Sequence, residues 1–465
     1  MTIPCLQIND TIDEILDSEG DRLNRQNSPR FQIHTLGCKV NQYDSERIRS
    51  QLLRNGLQDA GADAAPDLIV VNTCSVTAES DRKGRQLIRR MARLYPQARL
   101  AVTGCYSQRK PDEIAGIAGV CDVIPIEQQE QWVREIAEEM GWGCADQDAL
   151  WGPNQGIEHF HEHTRAFIKI QDGCDLKCTF CSIPNSRGVA RSRPLQEVVE
   201  EARGLVALGY GEIVLCGICV GHYGRGLGYG LPELVGEMAQ LQGIQRIRIS
   251  SLEPQDASDE LLAVMAEHPA VVCPHLHLPL QAGSDKILRR MKRPYTAAFF
   301  QERVERARQL MPHFEISTDI MVGFPDETEE DFEATLEAVR VNRFNRVHSF
   351  PFSVREEAPA RRMKNQLPMN VIKERRKQLD ALALEVANSV KASYIGQRLP
   401  VLCESGSDEH VAGYTPNYLR VEVHADRTIQ PGEEVAVQLN ALENGRLVGV
   451  ACEEPAGVIT DLAKA

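Results

Sequence analysis

The sequence lacks the features of a membrane protein, a secreted protein or a general nucleic-acid coat. No apolar run approaches the roughly 20 residues that cross a bilayer as a helix, so we expect no membrane partner. The stretch from Asp10 to Asp21 is too acidic for a signal or transit peptide. A net charge of -14 argues against nonspecific phosphate binding, which draws on Lys and Arg. We therefore expect a cytoplasmic protein.

Cysteine is present in quantity and forms the most specific pattern in the chain. Fourteen cysteines without a secretion signal indicate a reducing compartment and metal ligation rather than a disulfide framework. Three of them form the pattern Cys174-x-x-x-Cys178-x-x-Cys181, which follows the apolar stretch 166–170. Thiolates this close can hold three irons of a cubane cluster and leave the fourth iron without a protein ligand. Chemistry can then occur at that open iron.

Two other interpretations of this triplet fit the sequence less well. A tetrahedral zinc site would need a fourth ligand, and neither His161 nor His163 lies at a zinc-ribbon spacing from the cysteines. An odd, crowded triplet is also a poor basis for disulfides. The pattern therefore favours an iron-sulfur cluster.

The chain's 465 residues are enough for about two to four domains. Residues 1–28 have no clear periodicity, and we expect a mobile extension there. Residues 29–142 alternate apolar strands with helices, which predicts a parallel sheet covered on both faces. The fourth strand of this domain is predicted at 123–126.

The three best strands of this first domain each end at a cysteine, namely Cys38, Cys74 and Cys105. Ligands of open α/β sheets gather beyond the carboxyl ends of strands, so cysteines far apart in sequence can converge there. Any one of them alone is more often a buried structural residue. Because the placement recurs three times, a second three-thiolate cluster is the better interpretation.

The rest of the chain predicts two more domains after a Gly-containing linker at 141–160. Residues 160–390 contain six strands that alternate with helices, which predicts a partial (β/α)6 barrel with the cysteine triplet in the loop after its first strand. Residues 391–459 contain short strands separated by Gly and Asn, which predicts a small antiparallel barrel. The expected fold class is therefore α/β and multidomain.

The triplet resembles the signature of radical S-adenosylmethionine enzymes, and the chain from about residue 30 resembles the methylthiotransferase family. The terminal barrel is similar to the TRAM domain of that family. The supporting matches are Thr35-Leu36-Gly37-Cys38-Lys39-Val40-Asn41-Gln42, Val71-Asn72-Thr73-Cys74, Val102-Thr103-Gly104-Cys105, His277-Leu278-Pro279-Leu280-Gln281-Ala282-Gly283-Ser284 and Thr318-Asp319-Ile320-Met321-Val322-Gly323-Phe324-Pro325.

Two motifs are most similar to one branch of this family, the one that modifies N6-threonylcarbamoyladenosine beside the anticodon of tRNA. They are Gly37-Cys38-Lys39-Val40-Asn41-Gln42-Tyr43 and Gly413-Tyr414-Thr415-Pro416-Asn417-Tyr418. The resemblance implies methylthiolation of adenine C2 and makes tRNA the expected substrate. It also implies an electron donor and a sulfur source as partners, and identifies neither.

The same resemblance implies two [4Fe-4S] clusters and S-adenosylmethionine as cofactors. The cluster on Cys174, Cys178 and Cys181 would bind S-adenosylmethionine and cleave it to a deoxyadenosyl radical, which removes the hydrogen from C2. The cluster on Cys38, Cys74 and Cys105 would deliver the methylthio sulfur. Radical chemistry suits this carbon, because an aromatic C-H is not acidic enough for a side-chain base.

One departure from the family pattern introduces two further cysteines. The family often has Thr-Gly after the second barrel strand, where this chain has Leu215-Cys216-Gly217-Ile218-Cys219. The spacing of Cys216 and Cys219 would suit a redox pair, but two small buried residues are the favoured interpretation.

Basic residues give three candidate tRNA-contacting patches, although each would equally suit a solvated surface. They are Arg187, Arg191 and Arg193; Arg289, Arg290, Lys292 and Arg293; and Arg361, Arg362 and Lys364. Residues 391–465 hold 6 Lys and Arg against 11 Asp and Glu, and such an acidic barrel would suit a basic protein substrate. A ribosomal-protein methylthiotransferase is therefore the first alternative. A non-catalytic iron-sulfur protein that binds RNA or transfers electrons is the second.

Overall fold

The computed structural model describes residues 28–61, 64–140, 157, 160, 164–407 and 410–452. The predicted mobile extension lies almost wholly outside these residues, and so do most of the predicted linker and both His161 and His163. Within the described part, no helix is long and apolar enough to cross a membrane. Contacts divide the described residues into two compact units, the first made of 28–36, 47–73 and 83–140 and the second of 37–46, 74–82 and the residues from 157 onward.

The first unit contains a five-stranded sheet in which every neighbouring pair of strands is parallel. Its strands, in the order β2-β1-β3-β4-β5, are β1 (Arg30–Thr35), β2 (Gln58–Asp59), β3 (Leu68–Thr73), β4 (Arg99–Gly104) and β5 (Val120–Val123). The helices between β1 and residue 140 are α1 (Lys39–Arg54), α2 (Ala78–Leu94), α3 (Cys105–Arg109), α4 (Pro111–Ala115) and α5 (Gln129–Glu139).

Both faces of this sheet are covered, as the apolar strands predict. Val70 packs with Ile48 of α1 on one face, whereas its neighbour Val71 packs with Ile88 of α2 on the other. This alternation follows from the two-residue period of a strand. The doubly covered parallel sheet is therefore confirmed, although its last strand β5 begins and ends three residues before the predicted 123–126.

The second unit contains six parallel strands that form a partial barrel. Its strands are β6 (Arg165–Asp172), β7 (Arg191–Ser192), β8 (Glu212–Gly217), β9 (Arg246–Ile249), β10 (His275–His277), β11 (Glu315–Val322) and β12 (Arg346–Pro351), of which only the short β7 runs antiparallel to its neighbour. The sheets β7-β6-β8-β9 and β10-β11-β12 are connected by the parallel bridge between Ser251 and His277. The expected (β/α)6 barrel is confirmed.

Helices follow these strands and enclose one large apolar core. They are α6 (Ile183–Arg187), α7 (Leu195–Ala207), α8 (Leu231–Ala239), α9 (Asp259–Glu267), α10 (Asp285–Arg290), α11 (Ala297–Leu310), α12 (Glu329–Asn342) and the long α13 (Met369–Ala392). Capping side chains fix the first residue of some of these helices. At the start of α12, for example, the Thr328 side chain accepts a hydrogen bond from the Asp331 amide, and the Asp331 side chain accepts one from the Thr328 amide.

The C-terminal part of the second unit is a closed five-stranded barrel. Its strands, in the order β13-β14-β15-β17-β16, are β13 (Arg398–Ser407), β14 (His410–Tyr414), β15 (Arg420–His424), β16 (Glu434–Glu443) and β17 (Arg446–Ala451). Four of its pairs are antiparallel, and the β15-β17 pair that closes it is parallel. The predicted small barrel is thus confirmed, while its assignment as a TRAM domain and the domain bounds 29–142, 160–390 and 391–459 stay predictions.

Buried charges join this small barrel to the amino ends of the β6, β8 and β9 strands. Glu212 is fully buried and accepts from Arg248 at 2.6 Å. Arg248 and Arg246 also donate to backbone carbonyls of the small barrel, at Pro416 and Tyr414. Although burial alone would raise it, Arg248 and its neighbours lower the pKa of Glu212 to about 2. The small barrel therefore lies at the end of the partial barrel opposite to the cysteine triplet.

Candidate active site

The cysteine triplet occupies the loop after β6, the first strand of the partial barrel, as predicted. Gly173 begins this loop with φ of +74°, and a Cβ there would lie 2.0 Å from the carbonyl oxygen of Val189. Only glycine fits that turn. The Cys174 amide then donates to the Gly188 carbonyl, so the loop is closed against the chain that follows α6. The triplet therefore lies at the carboxyl end of the barrel strands, which is the functional end of such folds.

Donors surround the sulfur atoms of the triplet. The amides of Leu176 and Ile183 donate to Cys174 Sγ and Cys181 Sγ, each at 3.4 Å. Arg293 donates to Cys178 Sγ at 3.1 Å. Hydrogen bonds and positive charge of this kind stabilise thiolates, which are the form that binds iron.

Arg293 is itself held in place by buried partners. Its side chain is 2% exposed, forms an ion pair with Glu253 and donates to the Tyr295 hydroxyl at 2.9 Å. Tyr295 in turn donates to the Pro279 carbonyl at 2.6 Å. Arg293 was counted among the candidate tRNA-contacting residues, and that prediction is wrong, because its guanidinium lies inside the protein against a cysteine.

The protein environment shifts the pKa of Cys174 and that of Cys181 in opposite directions. A hydrogen bond donated by the Cys219 thiol lowers the pKa of Cys174 to about 7, with the Leu176 amide adding to it. Burial raises the pKa of Cys181 to about 12. Binding of a metal cluster releases the protons and provides the free energy for doing so.

The three cysteines of the triplet are free, and no disulfide links the described cysteines. Within the described part of the chain, the group of three possible ligands whose atoms lie within 4.8 Å of one another is Cys219, His222 and Asp256. That group contains none of the three triplet cysteines. In a cubane cluster each thiolate binds a different iron, so the three sulfurs need not share one ion.

The second triplet follows three adjacent strands of the first unit. The neighbours β1, β3 and β4 are parallel, and their last residues pair as Thr35 with Asn72 and Thr73 with Gly104. The carboxyl ends of these strands therefore lie at one edge of the sheet. Cys74 and Cys105 come next in the chain after β3 and β4, and Cys38 follows β1 after a two-residue turn.

Glycines beside these cysteines provide the space they need. Gly37 has φ of +113°, and a Cβ there would lie 2.9 Å from Cys74 Sγ. Gly104 has φ of +97°, and its Cβ would lie 2.3 Å from the Thr73 carbonyl oxygen. Both positions exclude any other residue. The Cys74 side chain thus packs directly against the backbone before Cys38.

A buried arginine joins the segment after Cys38 to the strand before Cys174. Arg187 donates to Asn41 Oδ1 at 2.6 Å, to Asp44 Oδ2 at 2.8 Å and to Asp172 Oδ2 at 3.0 Å. Lys169 also forms an ion pair with Asp44. Although burial would raise it, Lys169 and Arg187 hold the pKa of Asp44 below its usual range.

Arg187 was therefore also misassigned as a candidate tRNA contact. Its side chain is fully buried, and its partners Asn41 and Asp44 are too distant in sequence for a pattern to pair them. Arg193 of the same patch is partly buried, and it pairs with Glu201 and donates to the Tyr43 hydroxyl. Of this patch, Arg191 is the exposed member.

A second buried arginine holds the segment that follows Cys74. Arg355 donates to the Ser75 carbonyl at 2.6 Å and to Asp81 at 2.7 Å. Ser75 also donates to Asp81 at 2.6 Å, which fixes this turn. Sequence reasoning missed Arg355, and no local signal marks it, because its partners lie in a distant part of the chain.

Two family models match the chain, one in each of the regions that carry the cysteine triplets. The Radical SAM superfamily model matches residues 168–339, which contain Cys174, Cys178 and Cys181. The model of the uncharacterised protein family UPF0004 matches residues 30–125, which contain the other three cysteines. The solved structure of the radical S-adenosylmethionine methyltransferase TsrM from Kitasatospora setae, with tryptophan substrate and a SAM analog bound, aligns over 69% of this chain and 73% of its own with a TM-score of 0.52. At 15% identity this likeness shows the fold alone.

Curated relatives resemble the chain over most of its length. The threonylcarbamoyladenosine tRNA methylthiotransferase MtaB of Bacillus subtilis is 38% identical, over 84% of this chain and 89% of that protein. The tRNA-2-methylthio-N(6)-dimethylallyladenosine synthase of Aquifex aeolicus is 34% identical, over 83% of this chain and 91% of that protein. Radical SAM enzymes use a [4Fe-4S] cluster and S-adenosylmethionine. On these grounds the chain belongs to the radical SAM methylthiotransferase family.

Proposed function

We propose that this protein transfers a methylthio group to C2 of N6-threonylcarbamoyladenosine beside the anticodon of tRNA. The similarity to the Bacillus subtilis enzyme over most of the chain carries this proposal. The motifs around Cys38 and around Tyr414 support the same nucleoside. An external electron donor and a sulfur source complete the proposed set of partners.

Cys174, Cys178 and Cys181 would hold the [4Fe-4S] cluster that binds S-adenosylmethionine. When bound, this cluster supplies the one-electron chemistry that cleaves S-adenosylmethionine and makes a radical able to take hydrogen from an aromatic carbon. The residues around it have two tasks. The amides of Leu176 and Ile183 and the guanidinium of Arg293 donate to the thiolates, and the closed loop from Gly173 orients them.

Cys38, Cys74 and Cys105 would hold a second [4Fe-4S] cluster, which carries the sulfur. The glycine turns at Gly37 and Gly104 support this assignment, because a Cβ at either position would enter the space the cysteines use. The segments that follow Cys38 and Cys74 are each bound by a buried arginine, Arg187 and Arg355 respectively. Such rigid support suits a centre that must present sulfur to a carbon radical with little positional error.

A basic and aromatic cavity supports a nucleic-acid partner. It has a volume of about 390 Å3 and lies between β12, α13 and the small barrel. Its lining includes Arg346, Lys391, Arg420, Arg446, Tyr414 and Tyr418. Arginine, lysine and tyrosine are side chains that contact phosphates and stack on bases. Arg361, Arg362 and Lys364 are exposed and remain a candidate tRNA-contacting patch.

The acidic small barrel supports a second candidate function, methylthiolation of a basic ribosomal protein. One experiment decides between the two. Nucleosides from tRNA and digests of ribosomal proteins are compared by mass spectrometry in a strain without this gene and in the same strain complemented with it. We expect the 2-methylthio derivative of N6-threonylcarbamoyladenosine to disappear and to return on complementation. Loss of a methylthio group from ribosomal protein, or from the dimethylallyl nucleoside instead, would overturn the proposal.

A further inference from the structure

Three side chains with metal-binding atoms, two buried and one partly buried, meet beside the cysteine triplet, and none of them belongs to either proposed cluster. They are Cys219, His222 and Asp256, whose ligand atoms all lie within 4.8 Å of one another. Cys219 and His222 bound the short helical turn after β8, and Asp256 ends the turn Pro254–Asp256 after β9. Because β8 and β9 are parallel neighbours, both turns emerge from the same edge of the sheet.

Gly221 makes this meeting sterically possible. A Cβ at Gly221 would lie 2.2 Å from the Cβ of Asp256 and 2.3 Å from its Oδ2. Real atoms do not approach so closely, so only glycine between Cys219 and His222 lets the carboxylate reach them. The chain between the two ligands is therefore shaped to admit the third.

Three polar atoms of this group, both ring nitrogens of His222 and one carboxylate oxygen of Asp256, lack hydrogen-bond partners among the described residues, whereas the Cys219 thiol donates to Cys174. His222 is 2% exposed, yet neither ring nitrogen has a hydrogen-bond partner there. Asp256 Oδ2 is also buried without one, and only Oδ1 contacts Arg225, at 3.4 Å. Buried polar atoms are nearly always satisfied, because leaving them unpaired costs free energy. A ligand between these side chains would satisfy them.

We propose that Cys219, His222 and Asp256 bind a single divalent thiophilic ion of the Zn2+ type, distinct from both clusters. Sulfur, imidazole nitrogen and carboxylate oxygen are the three donors that zinc takes in proteins. Around a tetrahedral zinc these donors lie about 3.3–3.8 Å apart, so small side-chain rotations bring all three onto one ion. One thiolate and one carboxylate balance the charge of a divalent ion, so the buried site is neutral. Water fills the fourth position.

The test is a zinc count on the anaerobically reconstituted holoprotein, with iron measured in the same sample. A full iron content shows that the cluster cysteines are occupied and unavailable to zinc. We expect about one tightly bound Zn2+ per chain beyond the iron. His222→Asn and Asp256→Asn should each weaken zinc binding by at least about tenfold at unchanged iron content. Cys216→Ser is the matched control, because Cys216 is also buried beside this turn and should leave zinc binding unchanged.

X-ray absorption at the zinc edge provides a second measurement that does not depend on variants. It should show one sulfur and otherwise nitrogen or oxygen ligands. The proposal is overturned if the holoprotein takes up no zinc, or if His222→Asn and Asp256→Asn bind it as tightly as the unaltered chain. It is also overturned if Cys219→Ser loses cluster iron and leaves the zinc count unchanged, since Cys219 would then be a cluster ligand.

Discussion

Cys174, Cys178 and Cys181 lie on one short loop, whereas Cys38, Cys74 and Cys105 each follow a different strand. The loop needs few distant partners; its amides and one arginine contact the sulfurs directly. The second triplet depends on the register of three parallel strands and on two glycine turns. A local motif can thus be recognised from spacing, while a set assembled by a sheet needs the fold.

Removing one cysteine of the loop triplet, which is Cys174, Cys178 and Cys181, should have the largest effect on activity. Cys174→Ala should reduce S-adenosylmethionine cleavage to background and abolish methylthiolation, because three thiolates are needed to hold that cluster. Deoxyadenosine and the methylthiolated nucleoside are both measured by mass spectrometry. Cys121→Ala, at an exposed cysteine on β5, is the control and should keep both. Undiminished cleavage in Cys174→Ala would contradict the assignment.

Removing one cysteine of the strand-end triplet, which is Cys38, Cys74 and Cys105, should separate S-adenosylmethionine cleavage from methylthiolation. Cys74→Ala should still cleave S-adenosylmethionine but form no methylthiolated nucleoside, because the loop cluster remains and the sulfur-carrying cluster does not. The same two products are quantified in parallel with the unaltered chain. If cleavage disappears together with product, the two triplets do not have separate roles.

The arginine between the two segments tests whether buried charge supports the arrangement. Arg187→Gln leaves Asp44 and Asp172 with Lys169 as their remaining cation, and loss of one partner from a buried ion pair costs about 3–5 kcal/mol of unfolding free energy. Chemical denaturation measures this loss. Arg191→Gln, four residues later and exposed, should change stability by less than about 0.5 kcal/mol. Equal losses of stability in the two variants would show that the buried ion pairs of Arg187 do not stabilise the protein.

A single methyl group added at a glycine turn should reduce iron binding at the strand-end triplet and leave the loop triplet unaffected. Gly104→Ala places a Cβ against the Thr73 carbonyl at a φ of +97°, so β4 and Cys105 must shift, at a cost of about 1–3 kcal/mol. We expect iron content to fall while cleavage persists. Gly56→Ala is matched in its positive φ of +82° but meets no atom within 4 Å, so it should keep its iron. Full iron in Gly104→Ala would show that the turn is dispensable.

Removing the positive charge beside one thiolate should have the smallest effect. We expect it to change the reduction potential of the cluster. Arg293→Gln removes a positive charge next to Cys178 Sγ, which disfavours the more negative reduced cluster. A redox titration followed by electron paramagnetic resonance should show a lower potential, on the order of tens of millivolts. An unchanged or higher potential would mean that Arg293 serves only to pack against Tyr295.

Sequence patterns predicted the fold where the signals are local. The apolar run 68–72 predicted the parallel strand β3, because strands buried on both faces are continuously apolar. The short strands predicted in 391–459 do not include β14, which carries Gly413; the missing side chain of this glycine leaves space for the Leu402 carbonyl. The need for glycine at this position comes from the neighbouring strand, so the sequence of β14 alone does not reveal it.

Side-chain roles were harder to predict where partners are distant. Arg187 and Arg293 suggested a basic surface, but their charges are buried against Asp44 and Glu253. A sequence pattern cannot distinguish a basic surface from internal ion pairs formed across the fold. Cys219 was correctly predicted to be buried, while its neighbours His222 and Asp256 gave no signal, because Asp256 reaches them from the next strand.

Iron content of three chains tests the two-cluster account most directly. The unaltered chain and two variants, each with one triplet replaced by alanine, are reconstituted anaerobically and their iron and sulfide are counted. We predict about eight irons for the unaltered chain and about four for each variant. About four irons in the unaltered chain, or none in either variant, would contradict the claim that each triplet holds its own cluster.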